Sequence, residues 1–380
     1  MFPLTNPLTS RILTPVKRAH AETYLLLTLL GFAASVVLTR WFLQLTGYPQ
    51  LGGGNLHIAH VLWGGLLLFV AALMPLIYAN RWVFHVSAVV SGVGVGLFID
   101  EVGKFITQNN DYFDPLAAPI IYAFFLMTVF LYLQVRRPPV EDRRTEMYGV
   151  LDALMEVLDH DLDPQERIAL EARLRRVAYL GEQDEYAQLA ESLLAFLKSN
   201  TVKVDEAPGR WERFLVRFHA LEDRWFRRGL HRALLIVGLG FVGLGATINL
   251  VLLVWAMTSP ELMQEVASIV LASQPTIDNA NGLLWFMVRL VLEGVVGLSL
   301  VIGAGLLMVR RDDFACRLGG AGLILSLTTV TLVLFYYDQF AAVSFTLFQF
   351  VLLLGVARYQ HRYLMPKAAQ FEAEVLTAVD

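Results

Sequence analysis

Cysteine and charge are both scarce in this chain of 380 residues. The single cysteine, Cys316, excludes an internal disulfide and offers no thiolate cluster for a metal ion. Only 17% of the residues are charged and 56% are apolar, whereas in a soluble domain about a quarter are charged and about half are apolar. The sequence also lacks a serine–histidine–acid set and any nucleic-acid-binding signature. These absences exclude several soluble enzyme classes and nucleic-acid partners.

Long apolar segments take the place of the missing charge. A helix needs about 20 mostly apolar residues to cross the hydrocarbon of a lipid bilayer, and a membrane-spanning backbone of this kind must be helical because lipid offers it no hydrogen bonds. Segments of sufficient length are 22–44, 56–79, 82–104, 116–135, 232–257, 284–309, 314–337 and 340–360. The sequence therefore predicts an all-α, polytopic membrane protein with about eight transmembrane helices.

Basic residues indicate the orientation of these helices. Lysine and arginine precede the first span, occur at Arg81 and cluster at 136–137, 227–232, 310–311 and 358–362. The alternate loops, 45–55, 105–114 and 258–283, hold almost none. Because basic loops stay in the cytoplasm, we expect both termini to be cytoplasmic. The first span is interpreted as retained and not as a cleaved signal peptide.

A polar insert divides the membrane part into two. The insert is rich in Glu, Asp and Arg, and its pattern predicts helices near 141–159, 164–180, 184–198 and 209–230. We expect a cytoplasmic helical bundle that binds a protein partner or only stiffens the junction. The predicted domains are a tail (1–21), a four-span repeat (22–135), the insert (136–230), a second four-span repeat (231–364) and a tail (365–380).

Local patterns predict how the insert helices begin and pack. Asp163 followed by Pro164 is typical of a helix N-terminus. Leu151, Leu154, Met155 and Leu158 form one apolar stripe at helical spacing and are predicted to be the buried face.

The two membrane halves resemble each other. "GLFIDEVGKF" (96–105) aligns with "LVLFYYDQFAAV" (332–343) so that Glu101 pairs with Asp338. "HVLWGGLLLFVA" (60–71) aligns with "RLVLEGVVGLSL" (289–300), which pairs His60 with Arg289. "LLGFAASVVLTR" likewise resembles "GLGFVGLGATIN". The matches predict a parallel duplication of four spans, one of the arrangements found in transporters.

Glycine runs at 91–96 and 238–246 lie inside predicted spans. No strand precedes them and no lysine–serine pair follows, so they are not typical of a nucleotide-binding loop. Small residues in membrane helices allow close helix packing, and this is the role that we predict for both runs.

Ionisable residues fall at a similar depth near the outer ends of four spans. Charges at this depth are costly and are usually turned inward and paired. The predicted binding residues are His57, His60, Asp100, Glu101, Lys104, Arg289, Glu293 and Asp338. Helical spacing suggests that Asp100 pairs with Lys104 and Arg289 with Glu293, since residues four apart share a face.

Glu101 is then left to point toward the two histidines. His57, His60 and Glu101 together form a candidate site for zinc or another divalent metal. The same three side chains are also suited to proton transfer near neutral pH. A further alternative is that these groups only mark helix ends in the headgroup layer.

Three sequence blocks carry a resemblance to known proteins. "GNLHIAHVLWGGLLL" (54–68), "GLFIDEVGKFIT" (96–107) and "NDYF" (110–113) resemble blocks found in a group of bacterial polytopic membrane proteins. This resemblance covers roughly the first half of the membrane region, and it implies a bacterial inner-membrane protein without implying a chemistry. The histidines also give a looser likeness to ceramidase-like membrane hydrolases, which hold zinc with several histidines near one membrane face.

Three functional hypotheses follow. The first is a transporter-like protein that binds a cation, a proton or a small polar solute between the halves from the outer side. The second is a metal-dependent membrane hydrolase that acts on lipid through His57, His60 and Glu101. The third is a membrane sensor or scaffold that recruits a cytoplasmic protein through 136–230. We lean toward a protein that is not an enzyme.

Overall fold

The computed structural model describes residues 15–47, 59–137, 143–159, 162–179, 185–199, 227–274, 277 and 280–364. All regular secondary structure in these ranges is helical, which confirms the all-α class. Residue contacts divide the chain into two compact units. The first unit consists of 1–101 and 125–217, and the second of 102–124 and 218–380.

The helices are numbered here in chain order. They are α1 (Ala21–Thr46), α2 (His60–Ile77), α3 (Arg81–Ile99), α4 (Val102–Ile106), α5 (Ala117–Val135), α6 (Arg143–Asp159), α7 (Pro164–Tyr179), α8 (Glu185–Lys198), α9 (Arg228–Ala256), α10 (Pro260–Ser273), α11 (Ala280–Met308), α12 (Asp312–Leu325), α13 (Thr331–Asp338) and α14 (Val343–Tyr363). A π-helical turn (Ser326–Val330) joins α12 to α13, and a 3₁₀ turn (Gln339–Ala342) joins α13 to α14.

Seven helical runs among the described residues are long and apolar enough to cross a membrane. Six of them are α1, α2, α3, α5, α9 and α11, and they agree with the first six predicted segments to within a few residues. The seventh is a 52-residue run, Asp312–Tyr363. It joins the last two predicted segments, so the structure has seven candidate spans where the sequence predicts about eight.

The 52-residue run consists of two antiparallel legs. Gln339 interrupts it with a positive φ of 46°, which a non-glycine residue rarely adopts. Beyond this break α14 returns along α12. The Tyr359 hydroxyl near the end of α14 donates a 2.7 Å hydrogen bond to Asp312 at the start of α12. The last two predicted spans are counted as one run because the turn between them is built from helical residues, with no extended loop.

Glycines bring the helices of the first unit together. The α3 helix packs against both α1 and α2. A Cβ placed on Gly64 would lie 2.8 Å from the Gly94 carbonyl oxygen, and one placed on Gly96 would lie 3.0 Å from the Phe32 carbonyl oxygen. Such approaches tolerate no side chain, and the packing role predicted for 91–96 is therefore confirmed.

The beginning of α1 lies near the end of α5 in the first unit. The Lys17 ammonium group donates to the carbonyl oxygens of Val135 and Arg137, at 2.8 and 2.9 Å. Orphan carbonyls at a helix C-terminus attract cations, and Lys17 satisfies two of the carbonyls around the end of α5. The first predicted membrane segment therefore begins where the fourth ends.

Three helices of the insert, α6, α7 and α8, enclose a small apolar core. Its buried residues are Met147, Val150, Leu170, Leu174, Val177, Ala178, Ala190, Leu194 and Leu197. At the start of α7, Glu166 N–H donates to the Asp163 carboxylate at 2.7 Å and Asp163 N–H to the Glu166 carboxylate at 3.2 Å. This reciprocal pair is a capping box, and the predicted N-terminus is confirmed.

The predicted stripe of α6 is partly wrong. Leu154 packs against the core, but Leu151 is 46% exposed and Leu158 is 78% exposed. Met147 and Val150 take the buried positions, because the helix faces the core through a stripe rotated from the predicted one. The predicted helix 209–230 lies outside the described residues except for its last few positions.

The second unit is built around α11. The α9 helix packs along α11 through Gly243 and Gly297, and α11 also packs against α12. A Cβ on Gly243 would lie 2.7 Å from the Gly297 carbonyl oxygen. The α10 helix was not predicted, because its segment falls in the expected loop 258–283. Ser259 caps this helix by accepting a hydrogen bond from Leu262 N–H.

One end of the second unit is closed by a polar cluster. Arg228 and Arg232 at the start of α9 donate to the same Asp312 oxygen, at 3.1 and 2.7 Å, and Tyr359 donates to it as well. The cluster joins the beginnings of α9 and α12 to the end of α14. These three chain positions therefore lie at one end of the unit.

Candidate functional site

The first charged cluster lies where α3 ends, within the first unit. The helix stops at Ile99 and a turn follows at Asp100 and Glu101, so that two successive carboxylates leave the helix together. Both are buried, with relative exposures of 0% and 1%. They face Arg40 from the last turns of α1 and His60 from the first turn of α2.

Asp100 has cationic or imidazole partners on two helices. Its Oδ1 accepts from Arg40 Nε at 2.6 Å, and its backbone carbonyl accepts from Arg40 Nη2 at 2.9 Å. Its Oδ2 lies 3.0 Å from His60 Nε2. Charged hydrogen bonds of this length are strong in a low-dielectric interior, and they stabilise the approach of α1 and α2 to the end of α3.

Glu101 is bonded through both the side chain and the backbone of one residue. Its Oε1 lies 2.9 Å from His60 Nδ1 and accepts from His60 N–H at 3.1 Å. The second bond satisfies a backbone donor at the beginning of α2, which has no partner inside the helix. The predicted approach of Glu101 to His60 is therefore present.

The ring of His60 lies between two carboxylates. Both of its nitrogens contact carboxylate oxygens, and only the imidazolium form donates from both nitrogens at once. With the imidazolium, the described residues of the cluster are two cations and two anions. The His60 side chain is 21% exposed, the largest value in the cluster. This arrangement can hold a proton and release it on the side from which His60 is reached.

Lys104 follows the cluster in sequence and was predicted to pair with Asp100. Asp100 is bonded by Arg40 and His60. The Lys104 ammonium group, on α4 in the second unit, lies 5.2 Å from the centroid of the Tyr112 ring, a cation–π distance.

The predicted metal site falls partly outside the described residues. His57 is in the segment 48–58, which the structure does not describe. Among the described residues there is no group of three His, Cys, Asp or Glu that could hold a metal ion. The ligand trio of His57, His60 and Glu101 therefore stays a prediction.

The second charged cluster lies in the second unit, between α10, α11 and α13. Arg289 Nη2 donates to Asp338 Oδ2 at 3.0 Å, and Gln274 Nε2 donates to Asp338 Oδ1 at 3.1 Å. The Arg289 side chain is buried, while the Asp338 side chain is 30% exposed. Arg289 also lies over the rings of Phe286 and Tyr337, at 5.4 and 5.7 Å from their centroids.

Glu293 lies one turn further along α11 and is only loosely paired. Its Oε2 is 3.7 Å from Arg289 Nε, beyond hydrogen-bond distance. Both of these atoms are buried without a hydrogen-bond partner. The predicted ion pair is therefore long, and Asp338 is the closer partner of Arg289.

A cavity of about 230 Å³ adjoins Glu293. Its walls come from α9, α11, the π-helical turn, α13 and α14, all in the second unit. The polar residues lining it are Asn249, Glu293, Ser326, Thr331 and Gln349. A second, more open cavity of about 490 Å³ shares Glu293, Leu334 and Phe345 with it and extends to Asp338 and Gln274.

Sequence reasoning missed several residues of these clusters. Arg40 is the main one, although a charge inside a predicted span was a usable signal. Asn249 and Gln349 also fall within predicted spans, but amides in membrane helices are common enough to give a weak signal. Gln274 had no signal, because its segment was assigned to a loop.

Comparison of the chain with protein-family models, with curated proteins and with solved structures gives no significant match.

Proposed function

We propose that this protein is a transporter-like, multi-pass membrane protein that takes up a proton or other small cation from the outer side. The seven apolar helical runs are consistent with an integral membrane protein. Counting the two antiparallel legs of the last run separately gives eight crossings. The location proposed is a bacterial inner membrane, as the resemblance of its sequence blocks implies, with both termini in the cytoplasm.

The observation that carries the proposal is the position of His60 between Asp100 and Glu101. An imidazole whose two nitrogens both contact buried carboxylates favours the protonated form, because each carboxylate accepts a hydrogen bond from one N–H. The ring is partly exposed, so the proton can exchange with the outside. Intramembrane ionisable residues that pair with one another commonly mark proton or ion pathways. Arg40 balances the charge that the second carboxylate would otherwise leave buried.

The two halves offer a second line of support. The alignment pairs His60 with Arg289 and Glu101 with Asp338. In each unit the two aligned residues are bonded to each other, at 2.9 Å in the first and 3.0 Å in the second. A duplicated four-span unit explains this correspondence, and parallel repeats are a feature of several transporter folds.

The ends of the helices support the proposed topology. Lys17 joins the beginning of α1 to the end of α5, as four crossings require. Arg232, Asp312 and Tyr359 join the beginnings of α9 and α12 to the end of α14, as a second set of four crossings requires. Basic residues are concentrated at these same ends.

The other two hypotheses receive less support. Arg40 lies 2.6 Å from Asp100 and works against binding of a divalent cation beside it. The helical insert has its own core, and its recruitment of a cytoplasmic protein stays a prediction that a pull-down with the full chain addresses.

Proton flux in proteoliposomes tests the proposal. A potassium diffusion potential drives protons, and an internal pH-sensitive dye reports them. We expect flux above that of protein-free liposomes, and we expect its loss in His60→Gln, which keeps hydrogen-bonding groups but does not titrate. His85→Gln is the matched control, since His85 lies at the other end of α3 and packs on Tyr24. Equal flux in wild type and His60→Gln would contradict the proposal.

A further inference from the structure

We infer that the cavity beside Glu293 binds a small primary ammonium ion. This names a solute class for the transporter-like protein proposed above and to that extent rests on that proposal. The cavity belongs to the second unit and adjoins Glu293, whereas His60 lies in the first unit.

The cavity is mostly apolar with a few polar groups. Its apolar walls include Phe241, Val242, Leu334 and Phe345. The polar groups come from α9, α11, the π-helical turn and its junction with α13, and α14. Ligand sites commonly combine apolar walls with a small number of convergent polar groups, and this cavity has that composition.

Three of the polar groups have a buried oxygen without a hydrogen-bond partner. They are Glu293 Oε2, Gln349 Oε1 and Thr331 Oγ1, and Gln349 as a whole is 2% exposed. Leaving buried polar atoms unpaired is costly, and native structures contain few of them. The carboxylate and amide oxygens only accept, whereas the Thr331 hydroxyl can donate or accept, so a ligand that satisfies Glu293 and Gln349 must donate hydrogen bonds.

The charge of the site favours a cation. Arg289 is bonded to Asp338 at 3.0 Å and lies 3.7 Å from Glu293, so one guanidinium faces two carboxylates and a net negative charge is left. Glu293 is the only ionisable residue among those that line the 230 Å³ cavity in the described part of the chain. A donor that also carries a positive charge therefore fits both requirements.

The size of the cavity favours an organic cation over a bare metal ion. About 230 Å³ is the share of roughly seven or eight water molecules in the liquid. A dehydrated metal ion needs several oxygens close around it and would leave most of this space to water against apolar walls. A short alkylammonium ion fills the space with hydrocarbon and presents N–H donors to the two acceptors.

The surrounding backbone is irregular at the positions that line the cavity. Ser326 and Val330, the first and last residues of the π-helical turn, both line it. Single π-turns inside membrane or soluble helices are frequent at functional sites. The larger cavity continues from Glu293 toward Asp338, and it offers a route of entry past the Arg289–Asp338 pair.

Calorimetry on the purified full chain in detergent tests the inference. The probes are methylammonium, ethylammonium, tetramethylammonium and sodium chlorides. We expect saturable binding of the two primary ammonium ions and at least about tenfold weaker binding of tetramethylammonium, which has charge but no donors. Binding of sodium without binding of either primary ammonium ion would overturn the inference, as would binding of none of the probes.

Two variants locate the binding. Glu293→Gln removes the charge and Gln349→Leu removes the second acceptor; we expect each to weaken ethylammonium binding at least about tenfold. Glu265→Gln and Gln264→Leu, both exposed on α10, are the matched controls and should bind as wild type does. The thermal midpoint without ligand reports folding, and Glu293→Gln should not lower it because it removes a buried charge that makes no hydrogen bond, while Arg289 keeps Asp338 as its partner. Unchanged affinity in a folded Glu293→Gln protein would overturn the inference.

The two proposals fail separately. Ethylammonium binding without proton flux would contradict the transport proposal and leave the binding site intact. Proton flux that depends on His60, in a protein that binds no ammonium ion, would overturn only the inference about the cavity.

Discussion

The two membrane halves place carboxylates at aligned positions but treat them differently. In the first unit, Asp100 and Glu101 are fully buried and are enclosed by a guanidinium and an imidazole. In the second unit, Asp338 is partly exposed, and Glu293 keeps a buried oxygen without a hydrogen bond. Among the described residues, each carboxylate of the first cluster has a cationic or imidazole partner of its own, whereas in the second cluster two carboxylates share one arginine.

The aligned sequences show which substitutions separate the two. Arg40 of the first half corresponds to Asn249 of the second, and Gly64 corresponds to Glu293. In the first half the arginine supplies the balancing charge, and the glycine lets α2 approach α3. In the second half an amide and a carboxylate occupy these positions and line a cavity. At these two positions of the predicted alignment, the first half has an arginine and close helix packing, whereas the second half has an amide, a carboxylate and a cavity.

Removal of the central arginine in each half should produce the largest change in the free energy of unfolding and the largest difference between the two halves. Arg40→Met leaves two carboxylates in a buried site, and we expect it to lower the free energy of unfolding by about 3–5 kcal/mol. Arg289→Met should cost less, about 1–2 kcal/mol, because Asp338 is 30% exposed and keeps Gln274 as a donor, and because Glu293 at 3.7 Å has no hydrogen bond to lose. Thermal and denaturant unfolding of the detergent-solubilised chain measures both.

A surface pair provides the reference for these values. Arg317 pairs with Asp313, and both side chains are well over half exposed. Arg317→Met should change the free energy of unfolding by less than about 0.5 kcal/mol. Equal losses for Arg40→Met and Arg289→Met would remove the contrast between the two clusters.

A side chain added at Gly64, where α2 packs closely on α3, should produce the next largest loss of stability. An alanine Cβ there would lie 2.7 Å from Phe98 N, so Gly64→Ala should destabilise the protein by about 1–3 kcal/mol. Gly65→Ala is the matched control, because nothing lies within 4 Å of its Cβ position. It should be neutral or slightly stabilising, since alanine favours helix. Similar melting temperatures for the two variants would show that α2 does not pack on α3 at Gly64.

A substitution that makes the second cluster resemble the first should change the free energy of unfolding least, and it should weaken ligand binding in the cavity. Asn249→Arg brings a guanidinium to the cavity wall, where it competes with a bound ammonium ion for Glu293. We expect at least about tenfold weaker ethylammonium binding in calorimetry. Asn249→Leu, which adds no charge, should bind more tightly than Asn249→Arg, and the reverse order would argue against an electrostatic origin.

The fold was largely predictable from the sequence. Apolar length and basic flanks predicted the spans because lipid dictates both segment length and helical backbone. The helix start at Asp163 was also predictable, because the hydrogen bonds between Asp163 and Glu166 join residues close in sequence. The merged last run was not predictable, because Gln339 turns the chain within residues whose composition is that of a helix.

The candidate sites were less predictable because their partners come from distant helices. Spacing suggested the pairs Asp100–Lys104 and Arg289–Glu293, which lie within single helical stretches. The shorter contacts, Arg40–Asp100 and Arg289–Asp338, join residues 60 and 49 positions apart. The approach of Glu101 to His60 was predicted from their positions on neighbouring spans, and the equivalence of this pair to Asp338 and Arg289 stays a prediction of the internal alignment. The cavity had no sequence signal, because an empty space depends on how side chains from five elements pack.

The protonation state of His60 is the measurement that tests the central claim most directly. In ¹⁵N NMR spectra of the histidine-labelled full chain, the His60 signal is identified by its absence in His60→Gln. If the ring is held between Asp100 and Glu101, both of its nitrogens are protonated at neutral pH and the signal is that of an imidazolium. A neutral tautomer, with one protonated and one bare nitrogen, would contradict the proton-binding cluster on which the account rests.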